Sequence, residues 1–359
     1  MFKRFLKKSS FDTPSLTLSY SVGIYFDDKT VSYVLLKLSD GKLSLESYKT
    51  VPLEEGILMN AKIVEMGALS TILRQLSVDF SYYTSNVVVA LPQSFVTMEY
   101  FNYDPESGES LESEAEFRAS KISSLDKINF DYHLFETEKD NGEFVNNVIL
   151  TVAKNEDIDS RVYLTEISDL NLHYLDVESV ARVNAYSFWI NQENSHLEDN
   201  LIAIYEIGID STQVTFSKKG KILYNSEIPI GSNHLLNQIT EYSYLDNKRI
   251  FSVLNSEFDI TQHKADVSDI RKRLTQEIYR SIGVFYSQTN VTDDVKAIFL
   301  TGIGAKNFEL GDIFQEMTDI EVQIINPVES VASSLNKNQL HSDSFYLTVA
   351  FGLALRGLL

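Results

Sequence analysis

Cysteine is absent from the 359-residue sequence, which removes disulfides, thiolate zinc sites and cysteine nucleophiles together and gives no support to an extracellular disulfide scaffold. Proline is scarce, at 6 residues, while 43% of the chain is apolar; the balance is that of an ordinary globular protein, not of disorder. Long hydrophobic runs are missing too. The longest apolar stretch, Phe345–Leu355, has 11 residues, against the roughly 20 that a transmembrane helix needs. Positive charge is in short supply: 31 Lys and Arg face 51 Asp and Glu, a net charge of −20, which argues against broad nucleic-acid binding because phosphates demand clustered cations.

The usual catalytic signatures are also lacking. Six histidines, at 133, 173, 196, 234, 263 and 341, show no metal-ligand spacing. No GxSxG, GxxxxGK[ST] or GxGxxG follows a strand, so hydrolase, P-loop and Rossmann readings lose their support. The start, Met1–Lys8, is basic but has no apolar segment behind it, so it is no secretory signal; it reads as a frayed terminus or as a contact with an anionic membrane. The compartment reads as cytoplasmic.

What is present is an alternation of strands and helices long enough for two or three domains. Val22–Phe26 and Val31–Leu38 form a hairpin across Asp27-Asp28-Lys29-Thr30, and Asp40-Gly41 turns the chain into a third strand at Lys42–Tyr48. Helical spacing covers Ala61–Leu76, and Val87–Leu91 is a buried strand stopped by Pro92. A helix over Leu111–Leu125 follows the acidic stretch Glu106–Glu116, then come strands at Phe130–Glu136 and Val148–Ala153 separated by the turn Asp140–Glu143. A helix over Ile158–Ile167 and a strand at Leu172–Val177 complete the first half, and the polar stretch Gln192–Asn200 marks a junction. The plan then recurs: Leu201–Gly208 is a strand, Ile209-Asp210-Ser211 a turn, Thr212–Phe216 a strand, Gly220 a turn and Lys221–Asn225 a strand. That recurrence reads either as two related α/β lobes facing a cleft or as a chance repetition of hairpins. Helices over Asn233–Tyr242 and Val267–Gln288, a buried strand from Val295 into Gly302-Ile303-Gly304-Ala305, a short strand at Val322–Ile325 and an apolar helix over Phe345–Leu359 end the chain.

Three turns draw attention because small residues and backbone N–H groups at a strand end can cradle phosphate oxygens. They are Asp27–Thr30, Gly208–Thr212 and Gly302–Ala305. Gly23-Ile24, Glu206-Ile207-Gly208 with Ser211-Thr212, and Leu300–Ala305 resemble the two phosphate turns and the adenosine turn of actin-like ATPases. Within that superfamily the chain resembles the PilM family of type IV pilus assembly proteins, related to the cell-division protein FtsA. Ala90-Leu91-Pro92, Leu175–Glu178 with Asn184-Ala185-Tyr186, Phe285-Tyr286, Ile325-Asn326-Pro327 and the ending Phe351–Gly357 support it along nearly the whole chain.

The resemblance implies an α/β, actin-like (ribonuclease H-like) fold of two lobes with a small α+β subdomain inserted in the first. It divides the chain into a tail (1–19), the first lobe (20–95), the insert (96–172), a connecting helix (173–200), the second lobe (201–330, with a helical part around 231–290) and a C-terminal helix returning to the first lobe (331–359). It also implies a cytoplasmic scaffold, peripheral at the inner membrane, that grips the tail of a PilN-like membrane protein among other pilus assembly proteins, with self-association open. Candidate nucleotide contacts are Lys29, Thr30, Gly208, Ser211, Thr212, Gly302, Gly304 and Ala305, with Glu277 and Arg280 on the adenosine side; Glu206 and Asp210 are the candidates for Mg²⁺. Met98, Phe117 and Ile122 are the candidate pockets for the partner. The first turn departs from the family pattern, Asp27 and Asp28 standing for its glycine and serine, and carboxylates beside a triphosphate repel it. The expectation is weak, Mg²⁺-dependent ATP binding with negligible turnover. An active ATPase or small-molecule kinase, and an FtsA-like polymer former, are the alternative readings.

Overall fold

The computed structural model describes residues 19–138, 144–263, 266–289, 291–310, 320–336, 340–341 and 343–358. The basic start, the turn at Asp140–Glu143 and the last residue, Leu359, lie outside them.

β-branched and aromatic residues alternate through the opening strands, and the chain builds β1 (Ser19–Phe26), β2 (Thr30–Ser39) and β3 (Lys42–Pro52) as an antiparallel meander. A two-residue hairpin, β4 (Leu58–Met59) and β5 (Lys62–Ile63), precedes α1 (Met66–Ser77). The sequence pattern expects helix from Ala61. Asn60 and Ala61 instead take φ of 51° and 63°, which makes a turn, so Ile63 belongs to a strand and the helix starts five residues later than expected. β6 (Asn86–Leu91) then runs parallel to β1.

β7 (Val96–Tyr103), α2 (Leu111–Ile122), β8 (Ile128–Glu138) and β9 (Phe144–Lys154) form a separate three-stranded sheet, ordered β7-β9-β8, with α2 on one face over Phe101, Val148, Leu150 and Val152. Ser110 caps α2 by accepting the N–H of Ser113, and the helix stops at Ile122, short of the expected Leu125, where Ser123 turns extended. α3 (Asn155–Ile167) leaves this sheet and packs Ile158 and Leu164 into the core of the first lobe beside Leu69 and Leu73 of α1. The expected insert of 96–172 thus contains two kinds of packing. Only the part through β9 has its own core.

β10 (Asn171–Val177) joins the first sheet, whose order is β10-β6-β1-β2-β3-β16, the last a short strand at Ala332–Ser333. The period of two sends Val87 and Val89 of β6 toward α1 and α3, and Val88 and Ala90 toward the opposite face. There they meet Ala181 of α4 (Glu178–Glu193) and Val349 and Leu353 of α9, the C-terminal helix (Thr348–Gly357).

The second lobe follows the same plan. β11 (Leu201–Ile207), β12 (Thr212–Lys218) and β13 (Lys221–Ile228) form an antiparallel meander; β14 (Ala297–Thr301) runs parallel to β11, and β15 (Glu321–Ile324) parallel to β14. One face of this sheet, with Tyr205, Ile207 and Phe216, is covered by α5 (Ser232–Leu236), α7 (Ser268–Gln288) and α8 (Ile303–Phe308), while α6 (Asn247–Ser252) adds Ile250 to the same core. The expected helix over Asn233–Tyr242 is therefore only α5 and a separate 3₁₀ turn at Thr240–Tyr242. The other face puts Ile202, Ile204 and Phe299 against Tyr186 and Ile190 of α4. α4 is shared: its first turns lie on the first sheet and its last turns on the second. The recurrence seen in sequence is a repeated sheet plan, and the fold is α/β as expected.

Candidate functional site

At the first two turns the carboxylates of Asp27, Asp28 and Asp210 are engaged within the protein. At the first, Asp27 Oδ1 accepts the N–H groups of Lys29 (2.8 Å) and Thr30 (2.7 Å) and the Thr30 hydroxyl (3.3 Å). The backbone donors that would face a phosphate thus already hold a carboxylate. Burial pushes the Asp27 carboxyl up to about 6, against the pull of those two N–H groups. Asp28 points back into its own lobe and accepts the N–H groups of Asn60 and Ala61 at 2.7 and 2.8 Å. Lys29 crosses to the second lobe, donating to Asn247 Oδ1 at 3.0 Å and lying 3.3 Å from Asp210 Oδ2.

At the second turn, the N–H of Gly208 donates to the Ser211 carbonyl at 2.8 Å, and the Gly208 carbonyl accepts from the backbone and hydroxyl of Ser232. Ser211 is half-buried, and its hydroxyl takes a long bond from Gln213. Thr212 is fully buried and donates to the Ile230 carbonyl at 2.7 Å, so it faces the core and not the cleft. Asp210 holds Asn233 through Oδ1 and Lys29 through Oδ2.

At the third turn, Gly302 has φ of +79°, the left-handed region that favours glycine, and a Cβ there would sit 2.6 Å from the Ile207 carbonyl. A Cβ on Gly304 would lie 2.1 Å from Ile207 Cγ2, and Ala305 is wholly buried in the second core. These small residues let α8 pack against β11; the close approach is to a neighbouring strand. Glu277 and Arg280 sit together on the outer side of α7 as a long ion pair of 3.8 Å, with Arg280 largely exposed.

Beneath the turns lies a buried charge cluster. Arg182 of α4 reaches Glu178 through Nη2 and Glu206 through Nε, each at 2.5 Å. Tyr25 donates to Glu178 at 3.1 Å, and Tyr186 to Glu206 at 3.2 Å. Burial works against the guanidinium charge, and the carboxylates of Glu206 and Glu178 outweigh it, so the Arg182 pKa stands above its ordinary value. Burial raises the hydroxyls of Tyr25 and Tyr186 well above the usual phenol range, so both remain donors. Glu206, a candidate for Mg²⁺, is thereby committed to a guanidinium. Among the described residues no group of three His, Asp or Glu side chains is arranged to hold a metal.

The structure therefore brings Lys29 and Asp210 together, sets Gly302 and Gly304 against the strand leading into Gly208, and buries Thr212 and Ala305. Sequence reasoning missed Arg182 and Glu178. The signal was there: charges four residues apart, on one face of an otherwise apolar stretch.

A different recess is open. A groove of about 420 Å³ runs between the first lobe and the small sheet, lined by Phe95, Val96, Ile122, Ile128 and Val152, with Lys62 and Asp157 at its polar side. Ile122 lines it and is 37% exposed. Met98 is instead packed with the first core, its sulfur 3.9 Å from the Ser179 hydroxyl. Phe117 stands on the outer face of α2, capped by the Lys121 ammonium at 4.0 Å from the ring centre. Behind α4 a larger cleft of about 840 Å³ separates the lobes, lined by Asn184, Asn191, Leu43 and Leu355, and none of the candidate residues reaches it.

Comparison with solved structures gives the fold its class. A chain from a PilM–PilN type IV pilus biogenesis complex is 21% identical, with 94% of this chain and 98% of that one covered and a TM-score of 0.77. The ethanolamine utilization protein EutJ from Carboxydothermus hydrogenoformans is 14% identical over 95% of this chain and 91% of its own, with a TM-score of 0.56. The two-lobed architecture is that of the actin-like ATPase fold. The family described as type IV pilus assembly protein PilM matches residues 23–358, and the chain accordingly belongs to that family.

Proposed function

We propose that this protein is a cytoplasmic scaffold of type IV pilus assembly that holds the tail of a PilN-like inner-membrane protein in the groove between the first lobe and the small sheet. The observation that carries this reading is the contrast between an open groove, where Phe95, Val96, Ile122 and Val152 alternate with polar side chains such as Lys62, Ser123 and Asp157, and an interlobe site whose carboxylates are already paired. Extended peptides are held by apolar side-chain pockets together with polar contacts, and the groove offers both, with Phe95, Val96, Ile122 and Val152 beside Lys62, Ser123, Glu156 and Asp157. The net charge of −20 favours encounter with the basic flank typical of a membrane protein's cytoplasmic tail. The relative in the PilM–PilN complex supports the choice of partner. Among the described residues no helix is long and apolar enough to cross a membrane, so the partner would supply the attachment.

Nucleotide is assigned a minor part. ATP with Mg²⁺ would bind weakly and would not turn over, because it must displace Asp27 from the Lys29 and Thr30 N–H groups and approach carboxylates that already have cations. The test is calorimetric titration of the purified protein with a synthetic PilN-like tail and, separately, with Mg²⁺-ATP. Saturable binding of the tail with weak or no ATP binding is expected. Robust ATP turnover with no tail binding would replace the scaffold by the enzyme reading.

A further inference from the structure

Two residues of the first turn and two side chains of the second lobe meet at the mouth of the interlobe cleft. Lys29 Nζ has Asn247 Oδ1 at 3.0 Å and Asp210 Oδ2 at 3.3 Å, both on the second lobe. Asn247 Nδ2 donates back to the Asp28 carbonyl at 3.3 Å. Asn247 is only 4% exposed, so both ends of a buried amide are satisfied from across the cleft. The turn that presents Lys29 is rigid from within. Asp27 closes it through two N–H groups, and Asp28 pins it to Asn60 and Ala61. A fourth contact, Lys248 with Glu54 at 2.8 Å, crosses nearby but is well exposed and screened.

We propose that Lys29 and Asn247 form a latch that holds the two lobes closed in the absence of any ligand, doing with protein atoms what a ligand bound between the turns would otherwise do. The latch is polar and lies at the mouth, so opening returns Lys29 and Asp210 to water at little cost. In the closed state the Asn247 amide is buried with both ends held from the first lobe, so losing either partner while the lobes stay closed would strand a buried polar group, and this ties the pair to the closed geometry. Below it, the Arg182 cluster joins α4 to both lobes and remains intact when the mouth opens; the motion is a hinge about α4. The inference does not depend on the peptide groove, since no latch residue lines it.

The absence of native cysteine makes the test direct. Nitroxides are attached at Glu55→Cys and Glu241→Cys, exposed positions on the two lobes, and their separation is read by pulsed dipolar spectroscopy in the full chain. The parent gives one narrow distance. Lys29→Ala and, independently, Asn247→Ala each add a longer distance, with the open population rising about tenfold, and Lys29→Arg retains the parent distribution. A second label pair within the second lobe, at Glu227→Cys and Glu241→Cys, stays unchanged. Distributions for Lys29→Ala and Asn247→Ala that superimpose on the parent overturn the latch. So does an equal change in the pair within the second lobe, which would make the effect local unfolding.

Discussion

The interlobe cleft and the groove beside the small sheet are both junctions between packed units, yet they differ in how their polar groups are used. In the cleft, Asp27, Asp28, Lys29, Asp210, Glu206 and Arg182 all have partners within the chain. In the groove, Phe95, Val96, Ile122 and Val152 line a space that the chain does not fill. A site can keep its backbone shape while its own side chains take the place of a ligand. A recess that its own chain leaves open, with apolar side chains exposed in it, is the better place to look for a partner.

The largest effect should come from breaking the filled site at its centre. Arg182→Ala leaves Glu178 and Glu206 facing each other in the interior, and should lower stability by about 3–5 kcal/mol in urea unfolding. Replacing the arginine by Met together with Glu178→Gln and Glu206→Gln should recover much of that loss. A smaller but clear loss, about 1–3 kcal/mol, is expected for Gly304→Val, whose side chain would drive into Ile207. That outcome separates packing from ligand contact, because a thermal scan without nucleotide detects it.

Ile122→Asp tests the open site. With the side chain partly exposed, folding should change by about 0.5 kcal/mol, whereas affinity for the tail peptide should fall about tenfold, mainly through faster dissociation. Phe117→Ser, outside the groove, should leave affinity unchanged, and equal effects of the two substitutions would move the binding surface to the outer face of α2.

The smallest effect concerns pH. Burial raises Asp27 and Asp176 to about 6, above the ordinary 3.8, so each binds its proton more tightly folded than unfolded. For these groups stability therefore rises as pH falls from about 6 to about 4, and is lost as pH rises through about 6. Asp176→Asn should flatten that part of the stability profile; an unchanged slope would show that the group titrates near its ordinary value.

Much of this was legible in the sequence because it depends on local pattern. The meander of β1–β3 and its recurrence at β11–β13 follow from β-rich runs between Asp- and Gly-containing turns. Boundaries failed where backbone geometry overrode spacing, as at Asn60 and Ala61 ahead of α1. The candidate site was read less fully. Glycines, hydroxyls and carboxylates at strand ends look alike in sequence whether they hold a phosphate or one another. Thr212 had the right neighbours and proved to be a core hydroxyl, while Glu206 had the right chemistry and proved to be bound to Arg182.

The sequence by itself determined the α/β alternation, the repeated strand plan, the lack of a bilayer-spanning run and the acidic surface, because periodicity and composition act over neighbouring residues. Only the tertiary structure decided which junction is closed and which is open. Lys29 and Asn247 are 218 residues apart, and Arg182 and Glu206 sit on different elements. Whether such groups neutralise one another or face a ligand depends on distances that exist only after the two sheets have packed around α4.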